Sequence, residues 1–84
     1  MTKEQEELLK SANDALTNQM VSKAKELYNL LLVSTNGKSF VANYNLGLIV
    51  EAEYNYKKAL EYFHTCENII TDYSKVSFLS ASIN

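Results

Sequence analysis

The stretch YNLGLIVEAEYNYKKALEYF, residues 44–63, decides the fold of this 84-residue chain. It places Gly47, one of only two glycines, inside an apolar helical pattern, where glycine costs about 1 kcal/mol relative to alanine. A glycine at such a position often marks the close approach of another helix. We therefore expect Gly47 to let the following helix lie close, with Ala59 opposite.

Helical patterns also precede this stretch. Thr2 and Gln5 match a capping box, in which two side chains satisfy backbone groups at a helix start. Apolar residues then follow at helical spacing and predict a first helix over about residues 3–17. The pattern breaks at TNQM and resumes at Val21, which predicts a second helix.

The clearest loop is STNGKS, residues 34–39. Gly37 suits a left-handed helix stop, and Ser39 suits the cap of the next helix. Two more helices are predicted over about residues 40–53 and 56–70, the last with Asn55 as its cap. Short connections make consecutive helices antiparallel neighbours, so the expected class is all-α.

Composition supports this class. Apolar residues make up 46% of the chain and proline is absent, which argues against a turn-rich β sandwich. The net charge is −2 and no arginine occurs, which argues against a nucleic-acid partner. No apolar run approaches the roughly 20 residues of a membrane span, and the N-terminus does not match a secretory signal. We expect no membrane partner and a cytoplasmic or nuclear location.

The chain repeats itself at an offset of 35 residues. Gly47 then aligns with Ala12, and Ala59 aligns with Ala24, so small residues recur where paired helices would touch. An aromatic residue recurs one turn later. The residues predicted to pack within and between the hairpins are Ala12, Ala24, Tyr28, Gly47, Ala59, Phe63 and Cys66.

These strings resemble the tetratricopeptide repeat family. YNLG at residues 44–47 is the family's own string, and YNYKKALEYF at 54–63 matches its second helix. The resemblance implies a single domain over residues 1–84 with two antiparallel helix–turn–helix repeats, about 5–38 and 39–72, stacked as a superhelix. The family's proline is absent, and Tyr54 occupies a turn position that often carries glycine.

The tail SKVSFLSASIN, residues 74–84, predicts an extra helix after a break at TDYS. It looks like a truncated third repeat or a cap, and two registers fit. One places Val76, Leu79 and Ser80 at the signature positions, and the other places Phe78, Ala81 and Ser82 there. We expect the chain to be a fragment of a longer array, with this helix also able to mediate homo-oligomerisation.

In the resembling family, first helices line a concave groove that binds a peptide or a partner helix. Carried over to this chain, the groove residues are Leu9, Asn13, Leu16, Thr17, Val41, Tyr44, Asn45, Leu48, Glu51 and Ala52. One sub-family grips a terminal carboxylate with a lysine and two asparagines. Asn13 and Asn45 match those asparagines, but Leu9 stands in place of the lysine.

No catalytic chemistry is predicted. His64 and Cys66 are two residues apart, so they point in different directions from a helix, and an exposed histidine beside a buried cysteine is expected. The tyrosines are read mainly as packing residues, with Tyr28 and Tyr56 at core positions and Tyr44 open to a ligand role. No motif predicts an enzyme, a metal site or a cofactor.

The sequence therefore predicts a non-catalytic protein–protein interaction module, a scaffold or adaptor that binds a peptide or partner helix. The alternative is a structural or oligomerisation spacer whose faces contact neighbouring repeats of a longer parent chain. A carboxylate-clamp adaptor for chaperone tails is the narrower third reading.

Overall fold

A computed structural model describes the backbone of residues 1–83 and the side chains of residues 1–74. It contains four α-helices: α1 (Lys3–Thr17), α2 (Val21–Ser34), α3 (Phe40–Ala52) and α4 (Tyr56–Ile83). Over residues 1–83 no strand is present, so the predicted all-α class is confirmed.

The helices pack in chain order. Helix α1 packs against α2, α3 packs against α4, and α2 packs against α3. One apolar cluster joins the first three helices. Its buried members are Ala12, Ala15, Ala24, Tyr28, Leu31, Ala42, Leu46 and Ile49.

Local sequence signals set the helix starts as predicted. The Gln5 N–H donates to the Thr2 hydroxyl at 3.1 Å, and the Thr2 N–H donates to the Gln5 side chain at 3.0 Å. Ser39 caps α3 by accepting from the Ala42 N–H at 3.2 Å, and Asn55 caps α4 in the same way. These bonds satisfy backbone donors that have no partner within their own helix.

The two hairpins share their turn geometry. Helices α1 and α3 end 35 residues apart, and α2 and α4 begin 35 residues apart. At the equivalent turn positions, Gln19 and Tyr54 adopt left-handed backbone conformations with φ of 63° and 66°. The next N–H after each donates back to Ala15 and Val50 at 2.8 and 2.9 Å. Both turns are therefore Schellman motifs, with a bulky residue at the position that usually carries glycine.

Helix α2 ends where the predicted stop lies. Asn36 and Gly37 are both left-handed, with φ of 53° and 77°, and the Gly37 N–H donates to the Leu32 carbonyl at 2.8 Å. Asn43 anchors this turn by donating to the Gly37 and Ser39 carbonyls at 3.0 and 2.7 Å. The chain can thus fold back and place α3 on α2.

The predicted break at residues 71–74 was wrong, because α4 continues through it to Ile83. The 35-residue offset puts Thr71 and Asp72 where the first hairpin has Asn36 and Gly37. A β-branched threonine disfavours the left-handed conformation, and no glycine or proline interrupts the helix. The two proposed registers of a third repeat concern side chains beyond residue 74, which lie outside the described side chains.

The close approach of α4 predicted at Gly47 is present, and the ring of Phe63 makes it. A Cβ atom built at Gly47 would lie 2.6 Å from Cε1 and 2.9 Å from Cδ1 of Phe63. Gly47 is buried beneath that aromatic ring. The glycine therefore makes room for a ring, and Ala59, one helical turn before Phe63, is buried as well.

The outer face of α1 differs from the equivalent face of α3. On α3, Ala42, Leu46 and Ile49 are buried in the cluster shared with α2. At the same places on α1, the 35-residue offset gives three exposed polar residues, Glu7, Ser11 and Asp14. The first helix thus presents a polar surface where the third presents an apolar one.

Candidate functional site

The ten groove residues that the family resemblance implies lie on α1 and α3. None of them is fully buried, and seven are exposed. Leu9 and Leu16 are half-buried because they pack against the apolar cluster, and Asn45 is also half-buried. The first helices of the two hairpins therefore offer accessible side chains at every position of the set.

Part of this set lines an apolar depression of about 510 Å³. The depression lies between the C-terminal half of α3, the end of α1 and the start of α2. Its lining residues are Leu16, Val21, Asn45, Leu48, Ile49, Ala52 and Glu53. We call this surface the α1–α3 groove. Its size and apolar lining suit one or two apolar side chains of a bound peptide.

Polar groups border the α1–α3 groove at one end. Glu53 forms an ion pair with Lys25, whose Nζ lies 2.9 and 3.2 Å from the two carboxylate oxygens. Both side chains are partly exposed, so this pair contributes at most about 1 kcal/mol to stability. It connects α2 to Glu53, the residue that follows α3 at this end of the groove.

The asparagines of the clamp interpretation both have intramolecular partners. Asn13 accepts a hydrogen bond from the Tyr28 hydroxyl, and Asn45 donates to the Val41 carbonyl at 3.1 Å. Tyr28 is buried, and burial raises the pKa of its hydroxyl above the usual value. The hydroxyl therefore stays protonated and holds the Asn13 oxygen.

Tyr44 belongs to a row of three aromatic rings. Its ring centroid lies 6.0 Å from that of Phe40, nearly parallel, and 6.1 Å from that of Phe63, tilted by 54°. Tyr44 nevertheless keeps 45% of its surface exposed. It lies on the α4 side of α3, apart from the residues that line the α1–α3 groove. The structure thus gives Tyr44 packing partners and an open ring face.

Three lining residues were not predicted: Val21, Ile49 and Glu53. Ile49 contributes an edge while most of its side chain is buried, and Val21 enters from the start of α2. The sequence signal for Val21 was available, because it immediately follows the turn that brings α2 beside the end of α1. Leu9, Asn13, Thr17, Val41, Tyr44 and Glu51 do not line this depression.

The structure places the chemically reactive side chains apart. Cys66 is buried, its thiol lies 3.7 Å from the Phe40 carbonyl, and burial raises the pKa of that thiol. His64 is exposed and lies 3.8 Å from Glu67. The predicted contrast between the two is confirmed. Tyr56, predicted at a core position, is instead 57% exposed, and its ring meets that of Tyr54 edge-on.

In the described part of the chain, no group of three or more His, Cys, Asp or Glu side chains is placed to hold a metal ion. None of the described helices combines the length and apolar character needed to cross a bilayer.

The chain has no significant match to a family model, a curated protein or a solved structure. The resemblance to tetratricopeptide repeats therefore rests on the strings at residues 44–47 and 54–63 and on the 35-residue offset.

Proposed function

We propose that this chain is a non-catalytic interaction module of tetratricopeptide-repeat type, and that its α1–α3 groove binds a peptide or a partner helix. The observation that carries the proposal is the accessible apolar lining of Leu16, Leu48 and Ala52 between the first helices of two hairpins. Apolar side chains that converge from neighbouring helices on an open depression suit an apolar anchor of a peptide.

The site also suits binding because it is preorganised. The Lys25–Glu53 ion pair and the Tyr28–Asn13 hydrogen bond tie α2 to the two helices that line the groove. A site whose walls are already ordered loses less conformational entropy when a ligand binds. The apolar depression therefore needs little rearrangement to accept a side chain.

The test uses peptides selected from a phage-displayed random library on the immobilised chain and then labelled with fluorescein. Leu48→Glu places a charge in the groove, and we expect it to weaken binding at least about tenfold, since burying an unpaired charge is costly. Val33→Glu is the matched control, because Val33 is highly exposed on α2, away from the groove. Circular dichroism is used to check that both variants keep their helicity.

Two results would reject the proposal. One is the absence of any enriched peptide, and the other is equal binding by the wild-type chain and Leu48→Glu. A carboxylate clamp predicts in addition that amidating the C-terminus of a selected peptide abolishes its binding. The structural-spacer alternative is favoured by the exposed Leu60 on α4, and it predicts that both variants are silent in this assay.

A further inference from the structure

The turn between the two hairpins holds a reactive pair that the proposed function does not use. Asn36 is exposed, and Gly37 follows it. Among residues 1–83, every other asparagine is followed by a residue with a side chain. Asparagine is among the thermolabile residues of proteins. Its side-chain carbonyl can be attacked by the next backbone nitrogen, and a Cβ on the next residue hinders this attack, whereas glycine has none. The sequence therefore singles out Asn36 among the asparagines.

The reaction balances with water as its only co-reactant. The Gly37 nitrogen gives its proton to a solvent base and bonds to Cγ of Asn36. The bond from Cγ to Nδ2 breaks, and Nδ2 takes up a proton and leaves as ammonia, so a succinimide ring remains. Water then opens the ring at one of its two carbonyl carbons. Breaking the bond from nitrogen to Cγ gives aspartate. Breaking the bond from nitrogen to the main-chain carbonyl carbon gives isoaspartate, whose backbone runs through Cγ.

The folded turn restrains the first step of this reaction. The Gly37 N–H donates to the Leu32 carbonyl at 2.8 Å, so this nitrogen is not free to lose its proton. The Gly37 carbonyl accepts from the buried Asn43 side chain at 3.0 Å, which holds the other side of the same residue. Both Asn36 and Gly37 are fixed in left-handed backbone conformations. The attack therefore requires the turn to open.

Hydrogen bonds, and not crowding, provide this protection. Nothing lies within 4 Å of a Cβ atom built at Gly37, so the space beside the residue is open. Base and water can reach the nitrogen as soon as its bond to Leu32 breaks. Segments with few buried contacts open locally far more often than the whole protein unfolds. We propose that Asn36–Gly37 is a spontaneous deamidation site that the folded turn protects, and that local opening of the turn starts the reaction.

The two products weaken the joint between the hairpins. Each adds a carboxylate just after α2, where the negative end of the helix dipole disfavours it. Isoaspartate also lengthens the main chain by one carbon, inside the ring that the bond from Gly37 to Leu32 closes. Because this turn places α3 on α2, the isoaspartate form, separated by ion exchange, should unfold at a lower urea concentration than the unmodified chain.

The test compares the full chain with a synthetic peptide of residues 26–38, which is too short to hold a stable helix. Both are incubated at mildly alkaline pH. Trypsin then releases the same peptide from the chain, because Lys25 precedes it and Lys38 ends it. Mass spectrometry follows the exchange of amide for carboxylate, and electron-transfer fragmentation distinguishes aspartate from isoaspartate. We expect both products at Asn36, formed at least about tenfold more slowly in the chain than in the peptide. Asn29 lies in the same peptide and should remain unmodified.

Variants separate opening of the turn from unfolding of the chain. Asn43→Ala removes the bond that holds the Gly37 carbonyl and should accelerate the reaction about fivefold. Tyr28→Phe is the matched control, because it loses one hydrogen bond away from the turn and should leave the rate unchanged. Asn36→Gln should abolish the reaction and still fold, since Gln19 already adopts a φ of 63°. Circular dichroism is used to check each variant.

A measurement on the wild-type chain needs no variant. Hydrogen exchange reports how rarely the Gly37 N–H is free of its partner. Its protection factor should be similar in size to the factor by which deamidation is slower in the chain than in the peptide. Agreement between the two values supports opening of the turn as the controlling step, and a large disagreement contradicts it.

Four results would overturn the proposal. The first is that Asn36 stays unmodified in both the chain and the peptide. The second is that the chain reacts as fast as the peptide, which would show that the turn gives no protection. The third is equal acceleration by Asn43→Ala and Tyr28→Phe, which would show that the reaction requires global unfolding. The fourth is an unchanged urea midpoint of the isoaspartate form, which would reject the effect on the joint between the hairpins.

Discussion

Replacing Gly47 by alanine tests the packing on which the second hairpin depends. Two effects of opposite sign are expected. Alanine favours a helix by about 1 kcal/mol over glycine, so at an open position the change would stabilise the protein. At Gly47, however, the new Cβ would lie 2.6 Å from Cε1 of Phe63, about 1 Å closer than the optimum for two carbon atoms.

The cost of overpacking decides whether Gly47→Ala stabilises or destabilises the protein. Forcing a methyl group into a filled site costs about 1–3 kcal/mol, because side chains or backbone must move. Subtracting the gain in helix propensity leaves a net destabilisation of about 1 kcal/mol. For a chain of this size that corresponds to a fall in Tm of about 4–8 °C. The change in the free energy of unfolding is measured by urea denaturation followed by circular dichroism.

A double-mutant cycle identifies Phe63 as the cause. With Phe63→Leu in place, the clash is removed, and Gly47→Ala should then stabilise the chain by about 1 kcal/mol. The coupling energy between the two positions should therefore be about 2 kcal/mol. The difference in unfolding free energy between Ser11→Ala and Ser11→Gly, at an exposed position of α1, measures how much alanine favours a helix over glycine in this protein. If Gly47→Ala alone is stabilising and the coupling is near zero, the packing account is refuted.

Four further predictions follow from the turns, the caps and the buried hydroxyl. Tyr54→Gly should raise Tm by about 3 °C, because relief of the left-handed strain exceeds the entropy that glycine adds to the unfolded chain; a lower Tm would contradict this. Met20→Asn should raise the free energy of unfolding by about 1 kcal/mol in urea denaturation, because Met20 gives α2 no side-chain cap, whereas Asn55 at the equivalent position caps α4. An unchanged denaturation midpoint would count against this prediction. Replacing Thr71-Asp72 by Asn-Gly should interrupt α4, which NMR secondary chemical shifts would detect, and continuous helical shifts through residue 72 would show the turn assignment to be wrong. Tyr28→Phe should cost about 1 kcal/mol at pH 7 by loss of the bond to Asn13, measured by urea denaturation against Tyr73→Phe as the exposed control.

Tyr28 and Cys66 also predict the direction of pH dependence. Burial raises the pKa of both groups in the folded state, so the folded chain holds these protons more tightly than the unfolded chain. The ordinary pKa is about 10 for Tyr28 and about 9 for Cys66, and below these values the contribution of each group to stability is complete. The contribution is lost as the pH rises through the pKa of the folded state. Tyr28→Phe should therefore lose less stability than the wild-type chain between pH 9 and pH 11. Equal losses in both proteins would contradict this assignment.

The parts of the fold that were predictable depend on short-range chemistry. The capping box at Thr2 and the caps at Ser39 and Asn55 each involve residues within one helical turn. Such interactions follow from residue type and spacing alone. The offset of 35 residues was readable as well, because small residues recur at the same two positions of each hairpin.

The errors concern competition between elements. The break expected at TDYS was wrong, because Thr, Asp and Ser each cost a helix only roughly 0.5 kcal/mol, which is too little to end it. The contact of the Phe63 ring with Gly47 could not be read from the spacing, because it depends on the exact rotation of α4. The lining of the α1–α3 groove by Val21 depended in the same way on how α2 meets α1.

The polar outer face of α1, with Glu7, Ser11 and Asp14, differs chemically from the apolar face at the equivalent place on α3. Two carboxylates and a hydroxyl on this face make it a poor site for an apolar helix face of a second copy, because the carboxylates would lose their hydration without a compensating partner. Unlimited head-to-tail joining is what turns a monomer into a fibre. The polar face of α1 therefore disfavours head-to-tail association of copies through this helix.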